Sequence, residues 1–374
     1  MSCAAERAPA LAGLATLAGR SVEIMLANQD AGGAYVASPS FAPYRYSWFR
    51  DGAFAADALS RAGEQASAEA FFLWCAQALE ARAERIDDLV ARRGRGDAVG
   101  PGEHLHARYT VEGGESDEPW ATFQLDGYGA WVWALGAHLK RHDADPEPFL
   151  AGAALSLRYA AAFWEEPCYD WWEERLGLHT LTLAAVRAGL VAGAEHGLAA
   201  AEDWAAAAEA IRRRALSEGV QGGRLAAELG GSRLDAGLLA CAVPFGLLAA
   251  DDHRLEATVR LIEERLVRGG GVHRHADDTY YGGGLWLLLA GLLGLHYAEV
   301  GREEDALAQL EWIAARAGDG GALPEQTDEH LLAPEAREFW LRRWGSPADP
   351  LLWSHAQFLT LALRLGIDPV RGVT

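Results

Sequence analysis

Helical segments in this chain are joined alternately by short plain turns and by long, chemically loaded loops, and few folds accommodate that alternation. Half of the residues are hydrophobic, Ala and Leu dominate, and β-branched residues are sparse. Apolar residues recur at helical spacing, which predicts about twelve helices and an all-α fold. Their expected spans are about 9–28, 51–62, 65–89, 127–141, 146–164, 180–197, 201–217, 234–244, 253–267, 281–300, 303–316 and 351–365. Connections into the odd-numbered members are generally short. Those into the even-numbered members are longer and hold nearly every cluster of aromatic and charged residues. Short turns join antiparallel neighbours, so the pattern reads as helical hairpins set in a ring, each even-numbered helix starting at the same end. That end gathers the loaded loops and the positive helix termini around one mouth. The expected architecture is an (α/α)6 barrel, a six-hairpin toroid, with residues 1–374 as one catalytic domain. The competing architecture, an elongated helical solenoid, is disfavoured because no fixed repeat length appears.

Charge and cysteine usage narrow the partners. A net charge of −20 disfavours nucleic acid and anionic membranes and leaves a neutral small molecule as the easier ligand. Cys3, Cys75, Cys168 and Cys241 are far apart and form no CxxC pair, so neither a disulfide framework nor a zinc site is expected. The most apolar run, Leu285 to Leu295, is too short to span a bilayer. The N-terminus carries Glu6, Arg7, Arg20 and Glu23 among its apolar residues, unlike a secretory signal. A cytoplasmic protein without metal or cofactor is the resulting expectation; the oligomeric state stays open.

The loaded loops carry carboxylates, aromatics and a few arginines. In Tyr169-Asp170-Trp171-Trp172-Glu173-Glu174, carboxyl groups sit among aromatic rings. Desolvation there raises a carboxyl pKa and keeps a proton available near neutral pH. The same pair of glutamates also fits a helix N-terminal cap. No HExxH, GxSxG or phosphate-binding loop appears. His273 and His275, like His104 and His106, lie two residues apart without an evident third ligand. Carboxylates, indoles, phenols and arginines together suit carbohydrate. Rings stack on apolar sugar faces and charged side chains bind hydroxyls, while glycosidic cleavage requires two carboxyl groups. Glu173 is the acid candidate. Glu325, in Leu323-Pro324-Glu325-Gln326 of the longest loop, is the base candidate.

These loops resemble the motifs of glycoside hydrolase family 15, the glucoamylase family. Tyr44-x-Tyr46-x-Trp48-x-Arg50-Asp51-Gly52 resembles its first motif, Trp120 with Gln124-x-Asp126-Gly127 a second, and Tyr169 to Glu174 its acid motif. Arg274 with Asp277-Asp278-Thr279-Tyr280-Tyr281, Leu323 to Gln326, and Pro350-Leu351-x-Trp353-Ser354-His355-Ala356 resemble later ones. The resemblance implies an (α/α)6 barrel and an exo-acting, inverting α-glucosidase that releases β-D-glucose from non-reducing ends. Glu173 would be the acid and Glu325 the base, about 6.5–9.5 Å apart. Arg50 and Asp51 would hold hydroxyls of the terminal glucose, and Tyr44, Trp48, Tyr280 and Trp353 would line its pocket. Glu174 and Arg274 would contact the sugar on the leaving side, Trp120 would support the acid and stack on substrate, and Trp172 is a further substrate-binding candidate. Phe49 and Trp171 stand where the family usually has Pro and Leu, and both are candidates to reshape subsites. No N-terminal β-sandwich or starch-binding module is expected. A compact barrel with the bulky Trp171-Trp172 pair favours isomaltose or short isomalto-oligosaccharides, then α-1,4 substrates of the glucoamylase type, then trehalose. A non-catalytic sugar-binding regulatory barrel is the alternative of a different class.

Overall fold

Thirteen α-helices build the molecule in a computed structural model that describes residues 2–198 and 203–370. The inner elements are α2 (Phe49–Arg61), α5 (Asp126–His142), α7 (Thr180–Glu195), a short 3-10 helix (Ala236–Cys241), α10 (Leu287–Glu299) and α13 (Leu352–Arg364). Each packs on the next and α13 packs back on α2, closing the ring. Around them lie α1 (Ser2–Ala27), α3 (Gln65–Glu80), α4 (Ala83–Arg95), α6 (Leu150–Phe163), α8 (Trp204–Glu218), α9 (His253–Arg265) and α11 (Glu303–Ala314). This is the expected (α/α)6 barrel. Packed between its inner-ring neighbours and α11 of the outer ring, α10 is buried from Leu287 through Ala298, as an all-round apolar helix must be. At the α5–α7 crossing the backbones touch: a Cβ at Gly129 would lie 2.3 Å from the Ala185 carbonyl oxygen, and one at Gly189 would lie 2.6 Å from that of Gly129. Only glycine permits so close an approach. Among the described residues no helix is long and apolar enough to cross a membrane.

Two-residue antiparallel ribbons brace the loops. β1 (Ser47–Trp48) pairs with β2 (Arg108–Tyr109), and β3 (Cys168–Tyr169) with β4 (Leu176–Gly177). On later loops β5 (Val220–Gln221) pairs with β6 (Arg224–Leu225), and β7 (Val267–Arg268) with β8 (Gly271–Val272). The Trp-Trp-Glu-Glu stretch is therefore a hairpin tip between β3 and β4, and the following helix, α7, opens at Thr180.

Several elements differ from expectation for identifiable reasons. The helix expected over 65–89 breaks at Ala81-Arg82, because the Arg82 guanidinium reaches to Glu115 and to the carbonyls of Ala78 and Gly113. The eighth helix shrinks to a 3-10 turn ahead of Pro244, which has no N–H to continue a helix. The tenth begins later than expected, since Gly282 and Gly283 adopt positive φ and a Cβ at Gly284 would meet the Thr327 carbonyl at 1.9 Å. The expected start of the seventh at residue 201 lies outside the described residues. An unexpected helix, α12 (Pro334–Trp344), occupies the loop read as 317–350, with proline in its first turn. It buries no residue fully, so it carries little apolar periodicity to read.

Candidate active site

The β3–β4 hairpin presents Glu173 and Glu174 because Asp170 organises its tip. The Asp170 carbonyl accepts the Glu173 N–H, and its Oδ1 accepts the N–H groups of Glu174 and Arg175 at 2.9 and 3.2 Å. Glu173 sits in the left-handed region at φ 63°, a conformation a non-glycine residue holds only when its surroundings impose it. Those surroundings are two indoles and an amide. Glu173 Oε1 accepts from Trp48 Nε1 and Gln124 Nε2, both at 2.8 Å, and Oε2 accepts from Trp120 Nε1 at 2.7 Å. Arg50 Nη2 lies 3.5 Å from Oε1. The aromatic neighbours thus offer N–H donors to the carboxyl oxygens, where the sequence suggested apolar faces.

Arg50 ties this corner together. It donates to Gln124 Oε1 and Asp126 Oδ2 through Nη1, and to Asp51 Oδ2 through Nε at 3.3 Å. Burial, reinforced by Glu173 and Asp126, pushes the Asp51 carboxyl up to about 6 against the pull of Arg50. Asp126, in the first turn of α5, serves as a partner for Arg50. Asp235 is a cap, accepting from Gly237 N–H, and also accepts from Trp172 Nε1 at 2.9 Å.

Glu325 reaches the same cavity from the loop ahead of α12. Its N–H donates to the Ala348 carbonyl, and the neighbouring Thr327 N–H donates to Leu285. Its carboxyl is 1% exposed and Oε1 accepts from Tyr44 Oη at 2.9 Å; that phenol lies 3.2 Å from Tyr280 Oη. Burial pushes the Glu325 pKa up to about 8, against the Tyr44 hydrogen bond and the charge of Arg274. Glu174 behaves oppositely. Burial acts to raise it, but Arg274 and His275 outweigh that and hold it at about 2. Arg274 Nη2 donates to Glu174 Oε1 at 2.7 Å and Nε to Asp278 Oδ2 at 2.8 Å, beneath the rings of Trp172 and Trp286. Ligating atoms of Glu174, His275 and Asp278 lie within 4.8 Å of one another, and the Arg274 guanidinium already supplies the positive charge among them.

Glu173, Glu174, Glu325, Arg50, Asp51 and Arg274 all line one cavity of about 500 Å³, within the usual range for small-molecule sites. Every nominated residue lines it: Tyr44, Trp48, Arg50, Asp51, Trp120, Trp172, Glu173, Glu174, Arg274, Tyr280, Glu325 and Trp353. Trp353 stacks on Phe54 with centroids 5.0 Å apart and meets Trp171 edge-on. Trp171 lines the cavity, whereas Phe49 is stacked on Tyr109 in the core and takes no part in it. Trp286 and the α12 residues Trp340, Arg343 and Trp344 also line the cavity; sequence reasoning did not select them. Trp286 was absorbed into an apolar helical run, and α12 lacks a buried stripe. The Trp-x-x-Arg-Trp spacing at 340–344 was the available signal.

The model of the family described as glycosyl hydrolases family 15 matches residues 15–363. The chain belongs to this family. It is 44% identical over 365 residues to an isomaltose glucohydrolase of Kribbella flavida, covering 96% of this chain and 95% of that protein. A wild-type glycosidase of known structure, also 44% identical, superposes with a TM-score of 0.93 over 96% of this chain and 98% of its own. The glucoamylase of Hormoconis resinae shares the fold, with a TM-score of 0.72 at 18% identity over 97% of this chain and 76% of its own.

Proposed function

We propose that this glycoside hydrolase is an exo-acting, inverting α-glucosidase that releases β-D-glucose from small α-glucosides, with isomaltose and isomalto-oligosaccharides favoured. One observation carries the reading: Glu173 and Glu325, carboxyl groups from loops far apart in the chain, line a single cavity of saccharide size. Glu173 protonates the glycosidic oxygen as the bond to the anomeric carbon breaks. Glu325, in its ionised form, takes a proton from the water that forms the new C–O bond on the opposite face; burial, which pushes its pKa up to about 8, works against that form. Two features support these roles. Of the adjacent pair, Glu174 is held as a carboxylate at about 2 and has no proton to give near neutral pH, so Glu173 is the one assigned as donor. Glu325 Oε2 has no hydrogen-bond partner among the described residues, so it is the oxygen free to meet water.

Arg50 and Asp51 bind hydroxyls of the terminal glucose, and Tyr44, Trp48, Tyr280 and Trp353 enclose its ring. Trp120, Trp172, Glu174 and Arg274 contact the leaving sugar. One barrel carries the whole site in this reading. The buried free thiols Cys75, Cys168 and Cys241 suit a reducing, cytoplasmic setting. The similarity to an isomaltose glucohydrolase supports the linkage preference. Proton NMR of the first turnovers on isomaltose is the test: β-glucose is expected first, and initial α-glucose would rule the mechanism out. Isomaltose is also expected to rank first in kcat/KM against maltose, nigerose, kojibiose and trehalose.

The α12 wall supplies a second prediction. Trp344 lies beside Trp120, with centroids 6.4 Å apart and planes at 29°, and would stack on the leaving sugar. Trp344→Ala is expected to lower kcat/KM for isomaltose about fivefold, mainly through KM, the scale of one lost aromatic contact. Hydrolysis of α-glucosyl fluoride, whose leaving group is a single atom, should be nearly unchanged. Equal losses on both substrates would contradict this placement.

A further inference from the structure

Behind the segment that carries Glu325 lies a second cavity, of about 320 Å³. Pro324 and Gln326 line it, while Glu325 between them lines the first. Its wall includes two deeply buried polar side chains: Tyr281, 2% exposed, and Gln326, 4% exposed. Tyr281 Oη and Gln326 Nε2 have no hydrogen-bond partner among the described residues, and buried groups of this kind are normally satisfied. Gln326 Oε1 is already engaged by the Gly284 N–H, so the amide is fixed with its NH₂ free to donate. Near the opening the charges pair off, Arg316 with Glu329 at 2.6 Å and Arg337 with Asp328 at 3.2 Å. A phenol and an amide on a charge-balanced wall call for hydroxyl groups rather than for an ion.

We propose that this cavity is a second binding site, for a neutral polyhydroxylated molecule of monosaccharide size. D-glucose fits that chemistry; its availability as the enzyme's own product rests on the activity proposed above. Occupancy would touch both chain neighbours of Glu325, and also Tyr281. The adjacent Tyr280 lies within hydrogen-bond reach of the Tyr44 phenol that donates to Glu325, so a ligand here would report to the base.

Titration of the ¹⁵N-labelled full chain with D-glucose tests the site. The Gln326 side-chain amide should shift with a midpoint of its own, distinct from that of the Trp48 indole in the first cavity. Tyr281→Phe should move the Gln326 midpoint at least about fivefold upward, the scale of one neutral hydrogen bond, and leave the Trp48 midpoint in place. Asp328→Trp, at an exposed position beside the opening, should do the same by obstruction. A Gln326 amide that stays still, or that follows the Trp48 midpoint in every variant, would overturn the proposal and leave the hydrolase reading intact. A responsive Gln326 with a silent Trp48 would do the reverse.

Discussion

Glu325→Gln is expected to lower kcat by at least about 10²-fold, the scale of lost general-base catalysis, and at the same time to stabilise the folded protein in alkaline solution. The second effect follows from burial. The Glu325 carboxyl, ordinarily near 4.5, is pushed to about 8 in the fold. Between those values the folded state binds the proton that the unfolded state has released. Stability is therefore fully present below about 4.5 and declines as pH rises toward 8, each pKa unit corresponding to about 1.4 kcal/mol. Glutamine keeps an oxygen for the Tyr44 hydrogen bond and has no proton to lose. Its Tm should match wild type near pH 5 and exceed it by about 3 °C or more at pH 9. The same Tm difference at both pH values, or near-wild-type turnover, would sink the assignment. Glu173→Gln is expected to lose activity on a similar scale.

The largest stability loss is expected at Arg50. Arg50→Met keeps much of the side-chain volume but leaves Asp126, 1% exposed, without its guanidinium partner and strips Gln124 and Asp51 of theirs. Removing one member of a buried ion pair costs about 3–5 kcal/mol because the remaining charge stays desolvated. Urea unfolding measures this directly. Asp126→Asn added to Arg50→Met should recover part of the loss, since an amide needs no counter-charge. A single variant within about 1 kcal/mol of wild type would show that the cluster is solvated and that its burial has no energetic consequence.

Much of this site was legible beforehand for a simple reason. Residue types that bind and cleave sugars were concentrated in loops preceding helices, and loop length alternated along the chain. Both signals are local. The Trp-Trp-Glu-Glu stretch illustrates what local reading misses. Its composition suggested an apolar pocket around a carboxyl group, and only the fold shows that Trp48 and Trp120 turn their indole N–H groups toward Glu173. Phe49 shows the same limit from the other side: its place in a motif suggested a subsite, and packing sends it into the core against Tyr109 and Trp74. Helix α12 escaped because its face toward the cavity is a sparse set of half-exposed aromatics.

By itself, then, the sequence determined the helical ring, the end at which its loops converge, and the two candidate carboxylates that the fold brings to one cavity. Periodicity and residue type carry that information over short stretches of chain. Tertiary structure alone decided which carboxyl group is buried to a pKa of about 8 and which is held near 2. Desolvation and charge pairing depend on partners far away in sequence, such as Arg274 for Glu174 and Tyr44 for Glu325.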